Sequence, residues 1–283
     1  MQLTDPRTLR ALLDRHGVRA AKGIGQHFLV DRRALQAIVD AAEIAPDDDV
    51  LEVGPGPGVL TRALSERARS VTAVEIDERM LALAAETLAD RTNVRLVRAD
   101  ALAVDLFTLG EAPPTRIVAN LPYGITSPLL ERFLADARRP RLVVVLVQEE
   151  VARRIVATER DARERGYLSV FAQSFAEPRI VRRVPARAFR PAPKVGSAVV
   201  AFRTRTVPSF APLDQQRFLR FASDVFRHRR KQLAGALTFE AGASRKGAAD
   251  ALAAAGIERR RRPEELSLAE WVSLARAIGV PSA

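Results

Sequence analysis

Residues 49–67, DVLEVGPGPGVLTRALSER, pass from an apolar run through a glycine loop into a segment with helical spacing. Gly54, Gly56 and Gly58 stand where a strand hands over to a helix. A loop of this kind at the carboxyl edge of a parallel sheet usually marks a nucleotide-like ligand site. The spacing is G-x-G-x-G, which does not match the dinucleotide fingerprint. Pro55 and Pro57 fill the gaps, and proline has no N–H to give to a pyrophosphate. Such a loop approaches its ligand closely yet offers little to an anion. A nucleoside-bearing ligand without phosphate fits, and S-adenosylmethionine is the common one. The other reading of the loop is a purely structural βα turn.

Outward from this loop, apolar runs alternate with helical ones: SVTAVEI then 78–90, VRLV, TRIVA then 127–137, RLVVVLV then 149–158. Continuous rather than alternating apolar strands predict a parallel sheet covered on both faces. Two helices precede it, the first opened by Asp5-Pro6 and closed at His16-Gly17, the second capped by Asp31. PRIVRRV and SAVVAFR, joined by the loop PARAFRPAPKVG, suit an antiparallel edge. Composition shifts at TVPSFAPLD, residues 206–214, and every later segment has helical character: 213–226, 228–239, 244–255 and 267–278. The expectation is an α/β catalytic domain over 1–207, with its N-terminal helical segment, and a small all-helical RNA-binding domain over 208–283.

Acids end three successive strands. Glu75, about 20 residues beyond the loop, is placed to accept both ribose hydroxyls. Asp100, in VRADAL, is placed for an adenine amine, and Glu52 for the ammonium of a methionine moiety. Taken singly, each equally suits a helix cap or a solvated loop; together they make a nucleoside site. The fourth strand runs into VANLPYGIT, residues 118–126. An aromatic amine is a poor nucleophile because its lone pair is delocalised. Acceptors at the Asn120 side-chain oxygen and the Leu121 carbonyl would draw it toward tetrahedral geometry. Pro122 fixes that carbonyl's direction, and Tyr123 stacks on an extruded base. Alone, the tetrapeptide is also a helix-initiating turn.

The 283 residues carry 47% hydrophobic and 28% charged side chains, ordinary for a soluble globular protein, and leave room for a large and a small domain. With no cysteine, disulfides and thiolate metal sites are excluded, in keeping with a reducing cytosol. His16, His27 and His228 lie too far apart in sequence to suggest a metal site. The N-terminus has no secretory pattern, and LVVVLV at 142–147 is far too short to span a membrane. A net charge of +11 points to a polyanion, nucleic acid before membrane. Basic clusters at FRHRRKQL and ERRRRPEEL make Arg229, Arg230 and Lys231 the RNA-facing residues; the bland alternative is a solvated helix face.

GIGQHFLVD, LEVGPGPGVLT, VEID, ADAL, VANLPY, VQEEVARRI, GYLSVFAQ, FRPAPKVGSAVV and FRHRRKQL occur in that order. In them the chain resembles the ribosomal RNA adenine dimethyltransferases, in their small-subunit branch. The resemblance implies a Rossmann-like, S-adenosylmethionine-dependent methyltransferase sheet with a helical C-terminal domain. It implies transfer of two methyls to each of two adjacent adenosines near the 3′ end of small-subunit RNA, on a late 30S precursor, by a cytoplasmic monomer without a metal. Carried onto matching positions, the cofactor contacts are His27, Leu29, Gly54, Glu75, Asp100 and Asn120, with Gly56 in the same loop. Phe189, Pro191, Pro193 and Lys194 would lie beside the target adenine, Phe189 either as a second stacking face or as core, and Lys194 on a phosphate. Three positions depart from the family pattern: His27 stands for Asn, Arg165 for Tyr and Gly196 for Asp. None belongs to the residues assigned the chemistry. Rival readings are the large-subunit, antibiotic-resistance branch, which usually has Ile where Leu121 stands, a non-catalytic assembly factor, and a DNA adenine methyltransferase.

Overall fold

A computed structural model describes residues 3–18, 27–240 and 244–283; the GIGQ portion of the GIGQHFLVD motif lies outside them. The chain divides into two compact units, Met1–Ala152 with Arg179–Thr204, and Arg153–Pro178 with Arg205–Ala283.

The first unit opens with α1 (Pro6–Arg15), β1 (Phe28–Leu29) and α2 (Arg32–Ala41). The Asp5 carboxylate accepts from the amides of Arg7 and Thr8, and that of Asp31 from Ala34, so both helices start at the expected caps. Then come β2 (Asp49–Val53), α3 (Val59–Ser65), β3 (Ser70–Glu75), α4 (Glu78–Thr87), β4 (Val94–Arg98), β5 (Arg116–Asn120), α5 (Thr126–Ala135), β6 (Leu142–Gln148) and α6 (Glu149–Val156). After a helix of the second unit, α7 (Tyr167–Phe175), the chain returns through β7 (Ala176–Val184), β8 (Phe189–Arg190) and β9 (Ser197–Thr204). The seven-stranded sheet runs β4-β3-β2-β5-β6-β9-β7. β2 pairs in parallel with β3 and β5, β3 with β4, and β5 with β6, while β9 is antiparallel to β6. This is the expected Rossmann-like sheet with its antiparallel edge. β2 is buried along its whole length and β6 up to Gln148, because helices cover both faces. The strand order reverses between β2 and β5, and the crevice at their carboxyl ends is where such sheets bind ligands.

Two features escaped the sequence reading. β1 pairs antiparallel with β8, Phe28 opposite Arg190 and Leu29 opposite Phe189, which fastens the N-terminal segment to the proline-rich loop. Helix α7 packs with the second unit, so a single cut at 207 does not anticipate the excursion of 153–178.

The second unit adds α8 (Gln215–Arg227), α9 (Leu233–Glu240), α10 (Arg245–Ala254) and α11 (Leu268–Ala277). Its core holds fully buried Trp271, with Phe226 stacked on it at 5.0 Å. An aromatic row joins α7 to α8: Phe171 to Phe175 at 5.3 Å, Phe175 to Phe210 at 5.4 Å and Phe210 to Phe218 at 4.8 Å. Arg165 is buried here and donates from Nη1 to the Ala157 carbonyl at 2.7 Å and to Gln173 Oε1 at 3.2 Å; burial pulls its pKa down. The expected helix over 228–239 begins only at Leu233. Residues 228–231 form a turn, closed by the Lys231 N–H donating to the His228 carbonyl at 2.8 Å. The basic cluster is therefore presented on a turn.

Candidate active site

The ends of β2, β3 and β5, with residues 27–29, enclose a cavity of about 560 Å³. Two amides of the glycine loop are spent inside the fold. That of Gly54 donates to the Val74 carbonyl at 2.9 Å, that of Gly58 to Pro55 at 3.0 Å, and that of Gly56 faces the Glu75 carboxylate. Pro55 and Pro57 have none. The loop itself offers a phosphate few amides. Gly54 has φ +72°, and a Cβ there would stand 3.7 Å from the Pro122 ring; Gly56 has φ +52°, and its Cβ would crowd the Phe28 ring at 3.3 Å. Only glycine lets the loop pass this close with these torsions.

Glu75 lines the cavity with one oxygen tied down. Its Oε1 accepts from the amides of Ile76 at 2.9 Å and Asp77 at 3.0 Å. Burial raises its pKa, and those amides pull the other way. Glu52 is the most buried acid in the wall, at 1% exposure. Its Oε2 is buried and bonded by no donor among the described residues. Burial pushes its pKa up to about 8, with Thr61 opposing and Glu75 adding to the rise. Asp100 is exposed outside the cavity lining, and its Oδ1 accepts from the Leu102 amide at 2.8 Å, capping the turn after β4.

At the end of β5 the Asn120 amide nitrogen donates to the His27 carbonyl at 3.2 Å, which leaves Oδ1 as the acceptor of that side chain. Leu121 is buried and its N–H donates to the Leu146 carbonyl at 3.1 Å, while its own carbonyl meets no donor among the described residues. Pro122, at φ −59° and ψ 128°, holds the chain extended into the turn that starts α5. Tyr123 is held twice. Its hydroxyl lies 2.7 Å from the Ser197 Oγ, and the His27 ring is 5.5 Å from its ring at 30°. Burial raises the Tyr123 pKa, and the Ser197 contact lowers it in part. His27 Nδ1 in turn meets the Pro191 carbonyl at 2.8 Å. The histidine that departs from the family pattern is thus packed against Tyr123, one of the residues assigned the chemistry.

The structure brings His27, Leu29, Gly54, Gly56, Glu75, Asn120, Leu121, Pro122 and Tyr123 to one cavity. It corrects Phe189, whose ring is fully buried in the core with Leu29, Ile38 and Val199 and offers no stacking face. Pairing β8 with β1 turns this side chain inward. Lys194 is exposed on the same loop. A Cβ at Gly196 would meet Glu149 Oε2 at 3.1 Å, so the aspartate of the family pattern would set two carboxylates together. In the second unit Arg230 and Lys231 are exposed, whereas Arg229 reaches the Ala162 and Arg163 carbonyls at 3.4 and 3.3 Å. The sequence reading missed Phe28 and Ile76 in the cavity wall, and Ser197 behind Tyr123. Ile76, 63% exposed next to Glu75, was legible as an apolar residue misplaced at a strand's tip.

Comparisons with known proteins agree over the whole chain. The family model for ribosomal RNA adenine dimethylase matches residues 17–278. A Moorella thermoacetica protein named ribosomal RNA small subunit methyltransferase A is 41% identical, covering 97% of this chain and 98% of its own. A relative of the same name from Streptococcus pneumoniae is 40% identical, covering 98% of each. Among solved structures, the 23S rRNA methyltransferase ErmE matches at TM-score 0.67 and 31% identity, covering 89% of this chain and 99% of that one. A dimethyladenosine transferase from Plasmodium falciparum matches at TM-score 0.77 and 23% identity, covering 90% and 99%, a likeness of fold.

Proposed function

The chain belongs to the ribosomal RNA adenine dimethylase family, and from that membership we propose that it dimethylates two adjacent adenosines near the 3′ end of small-subunit ribosomal RNA. Relatives that align with it end to end bear the name ribosomal RNA small subunit methyltransferase A. The methyl donor is S-adenosylmethionine, the substrate a late small-subunit precursor, and the enzyme a cytoplasmic monomer.

The cavity suits that donor on its own chemistry. Its glycine loop has two prolines without an N–H and two amides already spent, Glu75 keeps one carboxylate oxygen for the ribose hydroxyls, and Glu52 holds an unpartnered oxygen for an ammonium. Bound there, S-adenosylmethionine supplies an electrophilic methyl on a sulfonium. The observation that carries the reading is Asn120. With its nitrogen spent on the His27 carbonyl, its oxygen is an oriented acceptor at the cavity wall. Asn120 Oδ1 and the Leu121 carbonyl take the two hydrogens of an adenine amine and restore the nitrogen's lone pair. Tyr123 lies against the base, and the proton is lost once the alkylated nitrogen has become acidic, so no dedicated base is required. Positioning and charge placement supply the acceleration.

The test is methyl transfer to under-methylated small subunits, followed by mapping of the modified nucleotides. Two methyls on each of two adjacent adenosines are expected. Methylation of large-subunit RNA instead would move the chain to the other branch, and no transfer would leave it an assembly factor.

A further inference from the structure

Helix α9, LAGALTFE, turns Leu233, Ala236 and Leu237 fully inward. Phe239 lies on the opposite side, 64% exposed, and is the one aromatic among the large exposed apolar side chains of the described residues. A helical side chain leans back over the residue four positions earlier. Here that residue is Gly235, where an added Cβ would meet only the Lys231 Cβ, at 4.0 Å. A Cβ there would come within 4 Å of no atom of the Phe239 ring, so the ring stands clear of its own helix. The Lys231 ammonium lies 3.5 Å from the ring centroid, and the His228 ring 5.4 Å away at 33°. Arg230 is exposed on the adjoining turn.

An aromatic face set among cations is the equipment for single-stranded nucleic acid, in which bases stack and phosphates pair with positive charge. One ring is far too small for a protein interface, which takes roughly 800 Å² from each partner. We propose that Phe239 is a stacking platform for an unpaired base of the ribosomal RNA, other than the methylated one, with Lys231 and Arg230 on the phosphates beside it. The proposal rests on the ribosomal RNA reading and gives its helical unit a base-binding site as well as a charged one.

The experiment measures binding of the full chain to under-methylated small subunits, and to single-stranded ribosomal RNA segments carrying 2-aminopurine, across a salt series. Phe239→Ala should bind about 5- to 150-fold more weakly with the slope of log affinity against log salt unchanged. Phe239→Trp should keep or raise affinity. Arg230→Gln should instead flatten the slope by about 0.7–0.9. Quenching of 2-aminopurine should appear with the wild type and vanish with Phe239→Ala. Matching thermal unfolding of the variants controls for misfolding. Wild-type affinity and quenching in Phe239→Ala would overturn the platform, as would a salt slope that falls with the ring. Failure of the wild type to methylate, with ring-dependent binding intact, would instead count against the proposed reaction alone.

Discussion

Glu52 costs this protein stability. Its pKa rises from 4.5 to about 8 because burial removes water from the carboxylate, and Oε2 meets no donor among the described residues. Below pH 4.5 the group is protonated whether the chain is folded or not, and there is no penalty. Between 4.5 and about 8 only the unfolded chain ionises, so stability falls as pH rises, on the order of 5 kcal/mol once the span is crossed. Glu52→Gln should therefore raise Tm at pH 8.5 and change it little at pH 5. The same gain at both values would show that charge is not the cause. An acid kept at such expense in a cavity wall fits the proposed use of its free oxygen on a cofactor ammonium, in line with the trade between stability and activity. Asn120 makes the complementary case, since its oxygen counts most when the amine pyramidalises. Asn120→Ala should lower single-turnover rates by about 10²–10³-fold, the loss typical of an oriented polar contact to a transition state. Calorimetric affinity for the cofactor should stay close to wild type, and near-normal turnover would sink the mechanism.

Between elements, two ties converge beside the turn after β5: His27, just before β1, meets the Pro191 carbonyl in the loop after β8, and Tyr123, in that turn, meets Ser197 at the start of β9. Ser197 is fully buried and lies opposite Gln148 in the β6–β9 ladder, so it is a fixed post. The Tyr123 ring and hydroxyl both matter on this geometry. Tyr123→Phe should slow methyl transfer about 3- to 10-fold, the worth of one hydrogen bond, and Ser197→Ala by at least as much, because it leaves the phenol unpaired. The double variant should be no slower than the worse single one, whereas Tyr123→Ala should lose a further 1–3 kcal/mol or so of stacking. Independent, multiplying losses would show that the two groups act separately. The glycine loop, Glu75 and the Asn-Leu-Pro-Tyr turn were legible in sequence because each obeys local rules: torsions only glycine takes, amides that proline lacks, a carbonyl that proline steers. Ser197 and the inward turn of Phe189 were not, since they depend on pairings between residues far apart in the chain, such as Leu29 with Phe189. No local pattern encodes such a pairing.

At the scale of the whole molecule, the parallel sheet followed from continuous apolar strands, but its strand order was not read and α7 went unrecognised. Its segment reads as one more apolar run, and its destination is set by an aromatic row that only the folded chain assembles. A fragment of residues 208–283 lacks Phe171 and Phe175, both buried at 1% or less. Losing one core phenylalanine costs about 3–5 kcal/mol, comparable to the whole stability of a small domain. The fragment should show no cooperative melt and no near-ultraviolet dichroism, and a sharp transition would mean that α7 is dispensable. The chain passes between its units three times, after Ala152, Pro178 and Thr204. Heredity is constrained by that threading. One crossover between two related genes cannot trade the helical unit alone: after Thr204 it would leave α7 among strangers' aromatics, and after Ala152 it would carry β8 and β9 along. Lineages are held to inheriting both halves together, and genealogies drawn from residues 153–178 and from 205–283 should branch alike.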